Sequence, residues 1–141
     1  MAFLLDVNVL IALTDPLHDH HRRATDWFEA DAYRAWAACP LTENGFVRIV
    51  GQRNYPNFAG DAHAAREVLE KLCLLSGHQF WPDDLSLRDR TKFKHLPDSR
   101  QLTDCYLIGV AVARKGCLAT LDRGMDASLV RGGSRALFLI P

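Results

Sequence analysis

Five short apolar runs, separated by stretches of helical period, shape the whole chain. They are Phe3-Leu4-Leu5, Arg34-Ala35-Trp36-Ala37-Ala38-Cys39, Gln79-Phe80-Trp81, Cys117-Leu118-Ala119-Thr120-Leu121 and Ala136-Leu137-Phe138-Leu139-Ile140. None alternates polar with apolar side chains, as a strand with one wet face would. Between them, Val9, Leu10 and Leu13, then Ala24, Trp27 and Phe28, then Phe46, Val47 and Val50 recur at helical spacing. Ala62, Ala65, Leu69 and Leu72 form a further helical stripe, and a helix from about Ser99 to Lys115 contains the near-continuous apolar run Cys105 to Ala113. Strands buried on both faces and joined by helices require a sheet covered on both sides. The expected fold is therefore α/β, a three-layer α/β/α sandwich around a central, mainly parallel five-stranded sheet. No repeat, linker or low-complexity tract interrupts the pattern, so residues 1–141 read as one domain.

Charge and composition narrow the partners. The 17 Lys+Arg balance 17 Asp+Glu, which excludes a polybasic binder acting by broad phosphate neutralisation. A 48% hydrophobic and 24% charged chain is also not a disordered one. No apolar run approaches the ~20 residues that span a bilayer. The N-terminus meets Asp6 without a basic region before it, so a cytoplasmic protein is expected. Cys39, Cys73, Cys105 and Cys117 form no C-x-x-C pair and lie in apolar stretches, as reduced core thiols do.

In parallel sheets, sites form beyond the carboxyl ends of the strands. The first run ends on Asp6, the second is followed past Pro40 by Glu43, and the fourth ends on Asp122. Asp104 is the only charged residue between Arg100 and Arg114, on the most apolar helix. Each alone has an ordinary explanation, since acids satisfy free N–H groups at helix starts. Four together at one sheet edge repel one another, and a divalent cation relieves that repulsion. An all-oxygen set without His or Cys favours Mg2+ or Mn2+.

The segment Phe3-Leu4-Leu5-Asp6-Val7-Asn8-Val9-Leu10-Ile11 resembles the opening of PIN domains, especially VapC-type toxins of bacterial toxin–antitoxin pairs. Three more segments resemble the family in its order: Leu41-Thr42-Glu43-Asn44-Gly45-Phe46-Val47-Arg48, Leu102-Thr103-Asp104-Cys105-Tyr106-Leu107 and Ala119-Thr120-Leu121-Asp122-Arg123-Gly124. The resemblance implies a metal-dependent endoribonuclease in which a metal-activated water cuts an RNA phosphodiester. Asp6 and Asp104 would be the main Mg2+ ligands, with Glu43 and Asp122 completing the acidic pocket. Asn8 would orient Asp6, and Thr120 would hydrogen-bond within the site. Many family members carry an aromatic residue three positions after the last Asp, where this chain has Met125. A cognate antitoxin, a homodimer and an RNA substrate, transfer RNA among the candidates, are further implications of the resemblance.

Two other readings differ in class. A haloacid-dehalogenase-type phosphatase also uses acids and Mg2+, but needs an Asp where this chain has Asn8. A catalytically silent PIN-like domain that binds RNA or protein would lack an acid, and all four are present. The basic residues are unevenly placed: residues 1–81 hold 7 against 10 acids, and residues 82–141 hold 10 against 7. Arg90, Lys92 and Lys94, in a cluster with Arg88 and His95, precede the Asp104 helix, and Arg123 follows Asp122. These are the candidate RNA-backbone contacts. Tyr55 and Phe58 lie in a loop near Arg53 that could touch RNA or antitoxin. His18, His20 and His21 read as a solvated helix start, and Trp27, Phe28, Trp36, Phe46, Phe80 and Trp81 as core.

Overall fold

The computed structural model describes residues 1–57 and 60–141; Phe58 lies outside the described residues. Five strands, β1 (Phe3–Leu5), β2 (Trp36–Ala38), β3 (His78–Phe80), β4 (Cys117–Thr120) and β5 (Leu137–Leu139), form one sheet. Its order is β3-β2-β1-β4-β5, and every pairing is parallel. The central strand β1 is buried along its length, which is why its sequence carries no polar alternation. Successive residues still face opposite ways. Phe3, Leu5, Trp36 and Ala119 join one core; Leu4, Ala37 and Leu118 join the other.

The first core lies under α1 (Val7–Thr14), α2 (His21–Trp27), α3 (Pro40–Val50) and α4 (Ala62–Cys73). α2 runs on through a π-helical turn, Phe28–Ala32, before β2. Pro40 opens α3, where its fixed φ and missing N–H are no handicap, and Gly51 closes it. The second core lies under α5 (Leu102–Ala113), the four-residue α6 (Gly133–Ala136) and the irregular segment 81–98. α5 is buried from Cys105 to Ala111, and a 3-10 turn, Ser99–Gln101, leads into it.

The segment after β3 is fastened to α5 at three points. Tyr106 Oη donates to the Leu85 carbonyl at 3.0 Å, and Arg114 pairs with Asp84 at 2.9 Å. Phe93 covers Gly109 so closely that a Cβ there would stand 2.4 Å from its ring. Only glycine allows that contact.

The layers and all five strands follow the sequence expectation, and the sheet is parallel throughout. Phe80 is a correction: it sits on the edge strand β3, which among the described residues has a neighbouring strand on one side only, and is 55% exposed. The other five aromatics expected in the core are buried. Cys39, Cys105 and Cys117 are buried and Cys73 half-buried, all as free thiols. Among the described residues no helix is long and apolar enough to cross a membrane.

Candidate active site

The sheet order reverses direction at β1: the chain goes from β1 to β2 on one side and returns to β4 on the other. Loops leaving β1 and β4 at their carboxyl ends therefore diverge and open a crevice. Asp6 stands at the end of β1, buried, and Asp122 two residues past β4, exposed.

Asp6 is held by three donors. Its Oδ1 accepts from the Val7 amide at 2.8 Å, which caps α1. Its Oδ2 accepts from Thr120 Oγ1 at 2.8 Å and from Asn8 Nδ2 at 3.4 Å. Thr120 is fully buried and is the hub. Its oxygen also accepts from Asn8 Nδ2 at 3.2 Å and from the Asp122 amide at 3.1 Å. Asn8 Oδ1 in turn accepts from the Leu121 amide at 3.2 Å. One threonine and one asparagine thus tie the ends of β1 and β4 together. Gly124 donates its amide to Asp122 Oδ1 at 2.8 Å, folding the next turn around that acid.

Asp104 projects from the first turn of α5, half-buried. Burial, then the charges of Asp6 and Asp122, push its carboxyl up to about 6. Burial also raises Asp6, against the hydrogen bonds from Thr120 and Val7, with Asp122 adding to the rise. Asp6, Asp104 and Asp122 therefore share one electrostatic environment.

Glu43 is different. It lies in the first turn of α3, half-buried, and its proton affinity is raised by burial and then by Asp83, not by Asp6 or Asp104. Asp83 follows β3 and is absent from the acids singled out by sequence, although the rule that found the others, an acid just past a strand end, applies to it equally. Its Oδ2 accepts from the Leu41 amide at 3.0 Å, capping α3 from another part of the chain. Its Oδ1 is buried without a hydrogen-bond partner among the described residues. Asp83→Ala is expected to cost about 1 kcal/mol by freeing the Leu41 amide, and Asp83→Asn to recover most of it. Urea unfolding of both variants checks this; equal losses would show that the cap contributes nothing.

The basic candidates are dispersed. Lys92 lies beside Val112 and Ala113, two turns along α5 from Asp104, and pairs with Asp89 at 3.9 Å. Arg90 and Lys94 flank a groove over Phe93 that Leu87 and Arg88 also line. Arg123 is exposed next to Asp122. Tyr55 does not face outward for a partner: its hydroxyl donates to the buried Asp15, as does Asn57 Nδ2 at 2.8 Å. His21 Nδ1 contacts the Ala12 carbonyl at 2.7 Å, and His18 and His20 gather no further ligand among the described residues.

Among the described residues no three His, Cys, Asp or Glu side chains close around a single point as a protein-only metal cage. The donor set is all carboxylate oxygen, with mutual repulsion that a cation would relieve. That fits Mg2+, which takes one or two carboxylates directly and keeps several waters.

A family model described as PIN domain matches residues 3–127. Ribonuclease VapC44 of Mycobacterium tuberculosis (strain ATCC 25618 / H37Rv) is 38% identical over 137 residues, 96% of each chain. Ribonuclease VapC39 of the same strain is 39% identical over 137 residues, 94% of this chain and 96% of the relative. Ribonuclease VapC38, also of that strain, is 44% identical over 123 residues, 86% of each. A solved structure, VapBC2 from Rickettsia felis bound to a DNA fragment from their promoter, superposes with a TM-score of 0.52 at 11% identity. It covers 86% of this chain and 89% of its own, a likeness of fold. With the motif order, the strand-end acids and these near-full-length identities in agreement, the chain belongs to the PIN-domain family, in its VapC-type branch.

Proposed function

We propose that this chain is a Mg2+-dependent endoribonuclease toxin, a single-domain cytoplasmic homodimer neutralised by a cognate antitoxin. The observation that carries the reading is the placement of Asp6, Asp104 and Asp122 at the reversal of strand order, each within reach of the others' charge. The ribonuclease names of the VapC relatives support the substrate class.

Asp6 and Asp104 would hold the cation directly, with Asp122 and Glu43 reaching it at the rim or through water. A cation bound there, Mg2+ or its substitute Mn2+, would supply polarisation of a phosphoryl oxygen and a lowered pKa for water. Thr120 and Asn8 fix the rotamer of Asp6, so its carboxylate needs no rearrangement as substrate arrives. Burial excludes competing solvent from Asp6, while exposed Asp122 leaves the crevice open to a polymer. Among the described residues burial disfavours every thiolate: it raises all four thiols, Cys39 and Cys73 up to about 11.

Incubating the purified chain with structured RNAs, transfer RNA among them, and with single-stranded RNA tests the proposal. Cleavage is expected with Mg2+ or Mn2+ and not with chelator, leaving 5′-phosphate and 3′-hydroxyl ends. Undiminished cleavage in chelator would overturn it.

A further inference from the structure

One groove adjoins the acids without being part of them. It has a volume of about 400 Å3 and opens between the first turns of α3 and α5, the helices that carry Glu43 and Asp104. Leu41, Leu85, Leu87, Leu102 and Tyr106 give it an apolar lining. Thr103, at its edge, immediately precedes Asp104. Arg88 stands on its rim, exposed.

Arg88 differs from Arg90 and Lys94, which among the described residues also lack an ion pair, in being held by a side-chain hydrogen bond. Its Nε donates to Ser86 Oγ at 3.1 Å, and its own amide donates to the same oxygen at 3.1 Å. The hydroxyl thus pins the guanidinium near the backbone and leaves its two terminal amino groups free. Among the described residues no carboxylate pairs with it, whereas Lys92 is paired with Asp89 and Arg114 with Asp84. A held, uncompensated guanidinium presents parallel donors suited to phosphate oxygens. An apolar hollow lined in part by an aromatic ring suits the faces of a nucleobase or ribose. Charge above and apolar surface below describe a nucleotide better than an apolar peptide.

We infer that this groove seats one nucleotide of the RNA strand beside the acids, with Arg88 holding its phosphate. The inference rests on the ribonuclease reading for the identity of the strand, and it assigns the register in which that strand enters.

The test separates binding from cleavage. A labelled, mixed-sequence, single-stranded oligoribonucleotide is titrated in chelator over a series of salt concentrations. Arg88→Ala is expected to weaken binding about tenfold and to flatten the log–log salt slope by roughly 0.7, the share of a single phosphate on a single strand. Arg88→Lys should keep the slope and give up part of the affinity, because it keeps the charge without the fork. Arg66→Ala, on the exposed face of α4, should change neither. In cleavage assays with Mg2+, Arg88→Ala should raise KM and leave kcat within about twofold. Wild-type affinity and slope in Arg88→Ala, or no oligonucleotide binding by the wild type, would overturn the subsite. If Arg88→Ala alone fails to matter, Asp6→Asn still reports on the ribonuclease reading. If Asp6→Asn cleaves normally, the chelator titration still reports on the groove.

Discussion

Asp104→Asn is expected to abolish RNA cleavage and yet to make the metal-free protein more stable at neutral pH. The two effects have one origin. In the folded chain the Asp104 carboxyl is raised from 3.8 to about 6 by burial and by the charges of Asp6 and Asp122. Unfolded, it reverts to an ordinary carboxyl. Between about pH 4 and pH 6 the folded state therefore holds the extra proton, so stability falls as pH rises through that window. The favourable contribution is complete below the unfolded pKa and lost above the folded one. An amide never ionises and escapes the loss. Because the side chain is only half-buried, the gain at pH 7 is about 1 kcal/mol after screening. Cleavage should fall by more than the roughly 10–100-fold that supporting residues around a metal typically cost. Unfolding of both proteins in chelator from pH 4 to pH 8 supplies the comparison. Parallel pH profiles would show that the proton is not on Asp104.

Asp6→Asn should be equally inactive without the same gain in stability. Both Asp6 oxygens accept, Oδ1 from the Val7 amide and Oδ2 from Thr120. An amide would turn a donor toward one of those donors. Asp104 has no such hydrogen bond opposing its rise, which is why relief of repulsion shows there. Two carboxylates with the same expected role thus separate by the partners of their oxygens.

Partners of this kind are where a linear pattern stops being informative. The doubly buried strands declare themselves because Leu4 and Leu5, or Leu118 and Ala119, must be apolar on both sheet faces. Once the sheet is parallel, Asp6 and Asp122 fall at the same edge by topology alone. The residues that a one-dimensional pattern misplaces are those whose position depends on a fold-back. Asp83 sits beside α3 because β3 pairs with β2, whose end leads into that helix, while the segment beyond Asp83 is strapped to α5 by Tyr106 and Arg114. The same strap carries Lys92 away from the acids and brings Arg88 toward the start of α5, although the two are neighbours in the chain. Phe80 looks like core in sequence, and only the strand order shows that it borders the open edge.

Thr120→Val is expected to be the most damaging substitution outside the four acids. Valine matches the shape of threonine and fills the same fully buried space, so no cavity forms. What disappears is one oxygen that serves three groups. The Asp6 carboxylate loses its 2.8 Å donor, and Asn8 Nδ2 and the Asp122 amide lose their acceptor. A buried polar group left without a partner costs about 1–3 kcal/mol, and Asp6 is the most enclosed of the three, so a loss of about 2 kcal/mol is expected. The functional effect should exceed what that instability explains. With its donor gone, Asp6 can turn toward Asp104, and the β4 end is no longer tied to the β1 end at that point. A fall in kcat of roughly 10–100-fold, measured well below the unfolding midpoint and with KM little changed, is the expected signature. Thr120→Ser keeps the oxygen and loses only a methyl group, so it should restore most of the rate while remaining somewhat less stable than the wild type. If valine and serine variants cleave equally well, the hydroxyl is not what positions Asp6, and the Val7 amide and Asn8 suffice to hold it.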